Sequence, residues 1–175
     1  ALSSAILLAS ARAGRGAAPA TGRQAQWIGV EEKSAPNQWI CCRKTLTLEK
    51  TPRRAVARIA ADSKYWLWVN GKLVVFEGQL KRGPDPQNTY VDRVDLAGSL
   101  RKGRNTLAIL LWYFGKHGFS HKSSGRAGLV FDADIDGARL VSDRTWKARV
   151  HPSYGDTGKP HPNYRLPESN IRFDA

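Results

Sequence analysis

Tyr65-Trp66-Leu67-Trp68-Val69-Asn70-Gly71-Lys72-Leu73-Val74-Val75-Phe76 is a pair of apolar runs joined by Asn-Gly. Asn and Gly accept the positive φ angles of a type I′ turn, and the flanking aromatic and β-branched residues favour strands, so the stretch reads as a β-hairpin. Side chains alternate across a strand, which puts Tyr65, Leu67 and Val69 on one face and Trp66, Trp68 and Asn70 on the other. Large apolar groups on both faces predict a hairpin well inside a sheet. The Asn70-Gly71 pair is expected to serve backbone geometry and to have no binding role.

Upstream, Ala55, Ala57, Ile59 and Ala61 alternate with Val56, Arg58 and Ala60, and Asp62-Ser63 turns this strand into the hairpin. Its small inward residues let a second layer approach closely. Before it, Trp39 to Leu48 reads as a longer strand with Ile40, Cys42, Leu46 and Leu48 on one face, and Trp27-Ile28-Gly29-Val30 as a short first one. Downstream, Glu77 to Asn88 centres on Gly83-Pro84-Asp85-Pro86 and predicts a long loop. Tyr90 to Leu96 resumes strand alternation, and Ser99 to Asn105 is a polar connection. Thr106 to Phe114, apolar on both faces, suits a central strand. Gly115 to Gly125 is a second long loop. The alternation from Ala127 to Ile135, the Asp136-Gly137 turn and Arg139 to Ser142 form another hairpin.

No segment carries a helical period. About eight or nine strands predict an all-β fold of two packed antiparallel sheets, a β-sandwich or jelly roll, because each sheet has an apolar face to bury. The chain divides into residues 1–26, a signal-peptide remnant and flexible tail, residues 27–162, the β-sandwich module, and residues 163–175, a linker. Ala1 to Ala13, with Ile6-Leu7-Leu8 and small residues at Ala11 and Ala13, matches the back half of a secretory signal and predicts a secreted or periplasmic protein. No apolar run reaches the roughly 18 residues of a membrane span. Cys41 and Cys42 are adjacent on a strand and point to opposite faces, so they neither pair with each other nor build a zinc site.

The net charge is +13 over 175 residues, with 25% of them charged. The basic residues are scattered, which argues against a groove and reads first as a basic, solvated surface, with a general attraction to polyanions such as nucleic acid or acidic polysaccharide. Asp132-Ala-Asp134-Ile-Asp136-Gly137, with Asp143 at the twelfth position, fits a calcium-loop pattern. That pattern belongs between helices, and strand alternation runs straight into it here, so the reading is a hairpin with no cofactor and no metal. Asp132 and Asp134, about 6.6 Å apart on one strand face, could also pass for a glycosidase pair. Nothing marks an apolar pocket around either, and the polar face of a strand explains both. His117 and His121 have a metal-compatible spacing only on a helix, which Gly115 and Gly118 disfavour.

No catalytic residues are assigned. The substrate-binding candidates are Trp112, Tyr113, Lys116, His117, Phe119, His121 and Lys122, aromatic rings beside polar donors. Flat rings suit the CH faces of sugars and donors suit their hydroxyls. Core packing or packing between domains would use the same residues.

Trp68-Val69-Asn70-Gly71-Lys72, Val94-Asp95-Leu96, Leu100 to Ala108 and Ser142-Asp143-Arg144-Thr145-Trp146-Lys147, in that order, resemble the galactose-binding-like β-sandwich modules of many glycoside hydrolases. Trp112 to Gly128 and Asn163 to Ala175 are similar to bacterial α-L-rhamnosidases, in the β-sandwich that precedes their catalytic domain. The resemblance covers about residues 27–175. It implies a parent enzyme that inverts at L-rhamnose with carboxylates in an (α/α)6 barrel. No such barrel is encoded here, so no family catalytic residue is carried over and the chain alone is expected to hydrolyse nothing. The expected partners are carbohydrate, such as plant-derived rhamnosides or pectic polysaccharide, and a catalytic domain of the same chain. A free-standing carbohydrate-binding module and a basic polyanion-binding domain, for nucleic acid among others, are the rival readings.

Overall fold

The computed structural model describes residues 24–30, 34–80, 89–118, 121–158 and 171–175. Its strands are β1 (Gln38–Leu48), β2 (Ala55–Asp62), β3 (Lys64–Val69), β4 (Lys72–Gly78), β5 (Asp92–Asp95), β6 (Gly103–Tyr113), β7 (Gly128–Ile135), β8 (Ala138–Val141), β9 (Lys147–Val150), β10 (Tyr154–Asp156) and β11 (Ile171–Phe173). Among the described residues the helical content is one 3-10 turn, Ala97–Ser99.

The strands form a five-stranded sheet ordered β4-β3-β6-β1-β9, a four-stranded sheet ordered β5-β2-β7-β8, and a two-stranded β10-β11 ribbon. All pairs are antiparallel. The two larger sheets bury one face each against the other. Ile40, Cys42, Tyr65, Leu67, Val69, Leu107, Ile109 and Leu111 meet Ala55, Ala57, Ile59, Ala61, Leu129, Phe131, Ala133 and Ile135 in one core. This is the expected antiparallel β-sandwich. The alanines of β2 are fully buried, as the close approach of two layers requires.

The Asn70-Gly71 turn forms as read, with φ of 53° and 83°. Its asparagine does more than bend the chain. Asn70 Nδ2 donates to Ser99 O and to Oδ1 of the fully buried Asn105, while Asn70 Oδ1 accepts from Thr106 N. The turn is thereby fastened to the start of β6, and the polar run before Asn105 is a hydrogen-bonded corner.

Four expectations need correction. The hairpin is not wholly inside its sheet: β3 is flanked on both sides, but β4 is the edge, with Phe76 72% exposed. Register shifts between β3 and β4, and a positive φ at Glu77, twist that edge out of regular pairing, a known means of blunting an open strand. Trp27 to Val30 forms a single bridge, Ile28 to Leu129, and no strand. The strands number eleven among the described residues, because β9, β10 and β11 are only three or four residues long and too short for a periodic signal. Tyr90 to Leu96 narrows to β5, Asp92–Asp95.

At the two termini, Gln26 N donates to Ser142 O, and β11 within residues 163–175 pairs with β10. Both stretches therefore contact the sandwich.

Candidate functional site

The loop from Gly115 to Gly125 leaves β6 at the end of the sandwich opposite the Asn70-Gly71 turn. Its root is tightly packed. A Cβ on Gly115 would lie 2.5 Å from Pro36 Cα, and its φ is 71°, so only glycine fits there. Asp62, fully buried at the end of β2, accepts hydrogen bonds from the hydroxyls of Ser63, Ser123 and Ser124 and from the Ser124 backbone N–H. Ser63 Oγ accepts in turn from Phe114 N, at 3.2 Å. A buried carboxylate is tolerated only when its lone pairs are occupied, and here they hold the returning arm of the loop.

The sequence-picked residues separate into different environments. Trp112 and Tyr113 are adjacent on β6 and point to opposite faces, Tyr113 into the core and Trp112 outward. Trp112 is buried all the same, its Nε1 donating to Asn37 Oδ1 at 2.8 Å. His121 is buried with its ring edge-on to Phe114, 5.3 Å between centroids, and Nε2 lies 3.1 Å from Lys116 O. His117 Nδ1 accepts from Ser123 N. Both histidines thus brace the loop from within. Lys116 is half-buried and Lys122 exposed, and Phe119 lies outside the described residues. The loop thus brings the His121 ring against Phe114 and the Lys116 carbonyl, and the His117 ring against the Ser123 N–H.

The outward face of the five-stranded sheet carries a ring stack at the same end. Trp39 lies flat against Trp112, Tyr154 and Trp66, at centroid separations of 4.5, 4.0 and 5.5 Å, and Phe76 meets Trp66 edge-on. Tyr154 belongs to the β10-β11 ribbon, which lies over this end of the sheet. Sequence reading missed Asn37, Asp62, Trp39 and Tyr154, whose only signal is composition; their partners are distant in the chain.

Beyond the stack, the register aligns outward residues in rows. Arg149, Cys41, Leu110 and Trp66 form one row, and Lys147, Arg43, Ala108 and Trp68 the next. Arg43, Lys147 and Arg149 are exposed, and none of the three is paired with a carboxylate among the described residues. Cys41, half-buried beside Arg149, and Cys42, in the core, are both free thiols; burial pushes Cys42 up to about 12.

The outward face of the four-stranded sheet is different. Arg139 Nε and Nη2 both donate to Asp132 at 2.9 Å, Arg58 Nη2 donates to the same carboxylate at 2.5 Å, and Arg54 lies 3.6 Å from Asp134. The Arg139 hydrogen bonds, aided by Arg58, hold the Asp132 carboxyl below the ordinary carboxylate range. That is the opposite of what a general acid needs, so the polar-strand reading of Asp132 and Asp134 stands. Asp136 accepts from the backbone N–H groups of Arg53 and Arg54, and Asp143 from that of Thr145. The calcium-loop pattern is thus laid out as the β7-β8 hairpin, with its carboxylates engaged by their own neighbours.

No protein-family model and no curated protein sequence matches the chain. Solved structures do. The chain is similar to a GH78 family rhamnosidase of Bacillus sp. GL1, with 28% identity and a TM-score of 0.67, over 87% of this chain and 18% of that one. It is similar in fold to an α-L-rhamnosidase of Streptomyces avermitilis (21% identity, TM-score 0.52, 85% of this chain and 14% of that one). A lectin of Pleurotus ostreatus shares the fold at 24% identity and a TM-score of 0.51, over 85% of this chain and 41% of that one. The chain spans about a fifth or less of the rhamnosidases it matches. The sequence resemblance to α-L-rhamnosidases is thus matched by structural similarity to a small part of such chains.

Proposed function

We propose that this chain is a non-catalytic, carbohydrate-associated β-sandwich module, of the galactose-binding-like kind, from an α-L-rhamnosidase-like glycoside hydrolase. It precedes a catalytic (α/α)6 barrel, with residues 163–175 leading into it, and acts outside the cytoplasm without a metal. The observation that carries this reading is the similarity of nearly the whole chain to less than a fifth of the Bacillus rhamnosidase. A segment of that proportion is the size of an accessory domain.

In this reading the Gly115 to Gly125 end faces the catalytic domain or its substrate. The buried Asp62 anchor fixes the loop, and Lys116, His117 and Lys122 are the polar groups it presents. Two measurements test it. The purified chain should release no aryl alcohol from an aryl α-L-rhamnoside; release abolished by Asp132→Asn or Asp134→Asn would overturn it. In the full-length enzyme, His117→Ala with Lys122→Ala should change KM with folding intact, and unchanged kinetics on neutral and acidic rhamnosides would reduce the loop to a connection.

A second reading, a free-standing lectin-like module, draws on the fold shared with the Pleurotus lectin. Sequencing of the gene past the codon for Ala175 separates the two. A reading frame running on into a barrel supports the first, and an immediate stop codon the second.

A further inference from the structure

We propose that the outward face of the five-stranded sheet is a binding surface for a uronate-bearing polysaccharide, gripped between a cationic wall on β1 and β9 and a tryptophan wall on β3. The proposal rests on the carbohydrate-associated reading above but concerns a different part of the molecule from the Gly115 to Gly125 loop. The register defines the surface. On β6 the outward residues Thr106, Ala108 and Leu110 form a floor, with Ala108 and Thr106 small. On one side β3 presents Trp68 and Trp66, and the edge strand extends that side with Leu73, opposite Trp68 and 42% exposed. On the other side β1 presents Arg43, backed by Lys147 and Arg149 of β9. β1 and β3 stand two strand spacings apart, about 9.5 Å, enough for one pyranose ring to lie on the floor. Trp39, Trp112 and Tyr154 close one end, and the other is open past Thr45 and Arg104.

Each wall suits one half of a uronate. Trp68 is half-buried and has no ring partner among the described residues, so the exposed part of its ring suits the CH face of a sugar. Arg43, Lys147 and Arg149 have no carboxylate partner among the described residues, and a guanidinium binds a carboxylate with two parallel hydrogen bonds. The net charge of +13 draws a polyanion in from a distance. Single-stranded nucleic acid fits less well. It is held by bases stacked on successive rings, whereas on β3 Trp66 is already stacked on Trp39 and crossed by Phe76, which leaves Trp68 as the β3 ring without an aromatic neighbour among the described residues.

The test is affinity electrophoresis of the 175-residue chain through gels containing polygalacturonate or a neutral galactan, with binding of an oligothymidylate measured in parallel. Polygalacturonate should retain the chain. Arg43→Glu with Arg149→Glu, and separately Trp68→Ala, should each weaken that binding by about tenfold or more, roughly one charge-assisted contact or one stacked ring. Arg93→Glu with Arg101→Glu, the same charge change away from this surface, should weaken it less than about twofold. Bound polygalacturonate should also slow labelling of Cys41, which shares a row with Arg149 and Trp66. Equal loss in both charge pairs would overturn the proposal in favour of a diffuse field. So would an oligothymidylate bound as tightly as polygalacturonate and through the same residues. Retention by the neutral galactan alone, untouched by these substitutions, would overturn the proposal and leave the carbohydrate reading standing. No retention by either glycan would count against both.

Discussion

On the outward face of the four-stranded sheet, Arg58 and Arg139 converge on Asp132 while Arg54 reaches Asp134. On that of the five-stranded sheet, Arg43, Lys147 and Arg149 occupy adjacent register rows with no carboxylate beside them among the described residues. Both faces come from the same alternation, one side chain in and the next out. What differs is what the register sets opposite each arginine. β2 and β8 lie on either side of β7, so Asp132 receives an arginine from each. β1 lies between β6 and β9, which offer Ala108 and Lys147 to Arg43. The first face is closed upon itself, and the second keeps its charge for something else. Counting basic residues along the chain cannot reveal this, because the pairing is settled across strands.

The two faces differ in apolar content as well, and the largest expected effect breaks that difference. Trp112→Ala removes a buried ring that stacks on Trp39 and abuts Phe114, together with the hydrogen bond its Nε1 gives to Asn37 Oδ1. A cavity of that size in a buried site costs about 3 to 5 kcal/mol. Urea denaturation should show a loss in that range. A loss below about 1 kcal/mol would mean that the stack is a loose surface layer.

How much of this was readable in advance follows the distance between partners. The Asn70-Gly71 and Asp136-Gly137 turns, the buried alternation of β2 and the two-faced apolar run of β6 are local patterns, and each forms, although β6 begins at Gly103, within the polar run read as a connection, and ends at Tyr113. The ring stack joins positions 39, 66, 112 and 154, and the Asp62 anchor joins two segments about sixty residues apart. No periodicity connects such residues. The edge position of β4 was hidden for the same reason, since its apolar residues look identical whether or not a further strand pairs with them. Of the picked loop residues, His121 was visible as a polar group near aromatics, but not as a ring packed against Phe114.

A middle-sized effect should come from Asp132→Asn, which takes the charge out of the Arg58 and Arg139 pairs. The loss near neutral pH should be about 1 kcal/mol, at the upper end for exposed ion pairs because Arg139 engages two-pronged. Its pH dependence has a definite sign. The folded carboxyl titrates below its unfolded value of about 3.9, so the stabilisation is present above that pH and fades as the pH falls through the folded value. The gap between wild type and Asp132→Asn should therefore shrink as the pH is lowered past about 4, and a gap that widened on acidification would contradict the pairing. The same substitution leaves Arg58 and Arg139 unpaired and should raise retention on polyanions.

The smallest effect is expected on the other face, and its smallness carries the argument. Arg43 is exposed on β1 between Ala108 and Lys147, with no carboxylate partner among the described residues. If it served the fold, replacing it would cost what breaking an ion pair costs. Arg43→Gln instead removes repulsion from Lys147 and keeps a polar chain of similar reach, so stability should stay within about 0.5 kcal/mol of wild type or rise slightly. Added salt separates the two faces further. Screening should stabilise the Lys147 and Arg43 row, where like charges stand opposite, and weaken the Asp132 cluster. Melting temperatures of Arg43→Gln and Asp132→Asn should thus depart from wild type in opposite directions at low salt and converge on it as salt rises. A destabilised Arg43→Gln would show that its guanidinium is engaged within the fold, and would remove the contrast between a face that is neutralised and one that is held open.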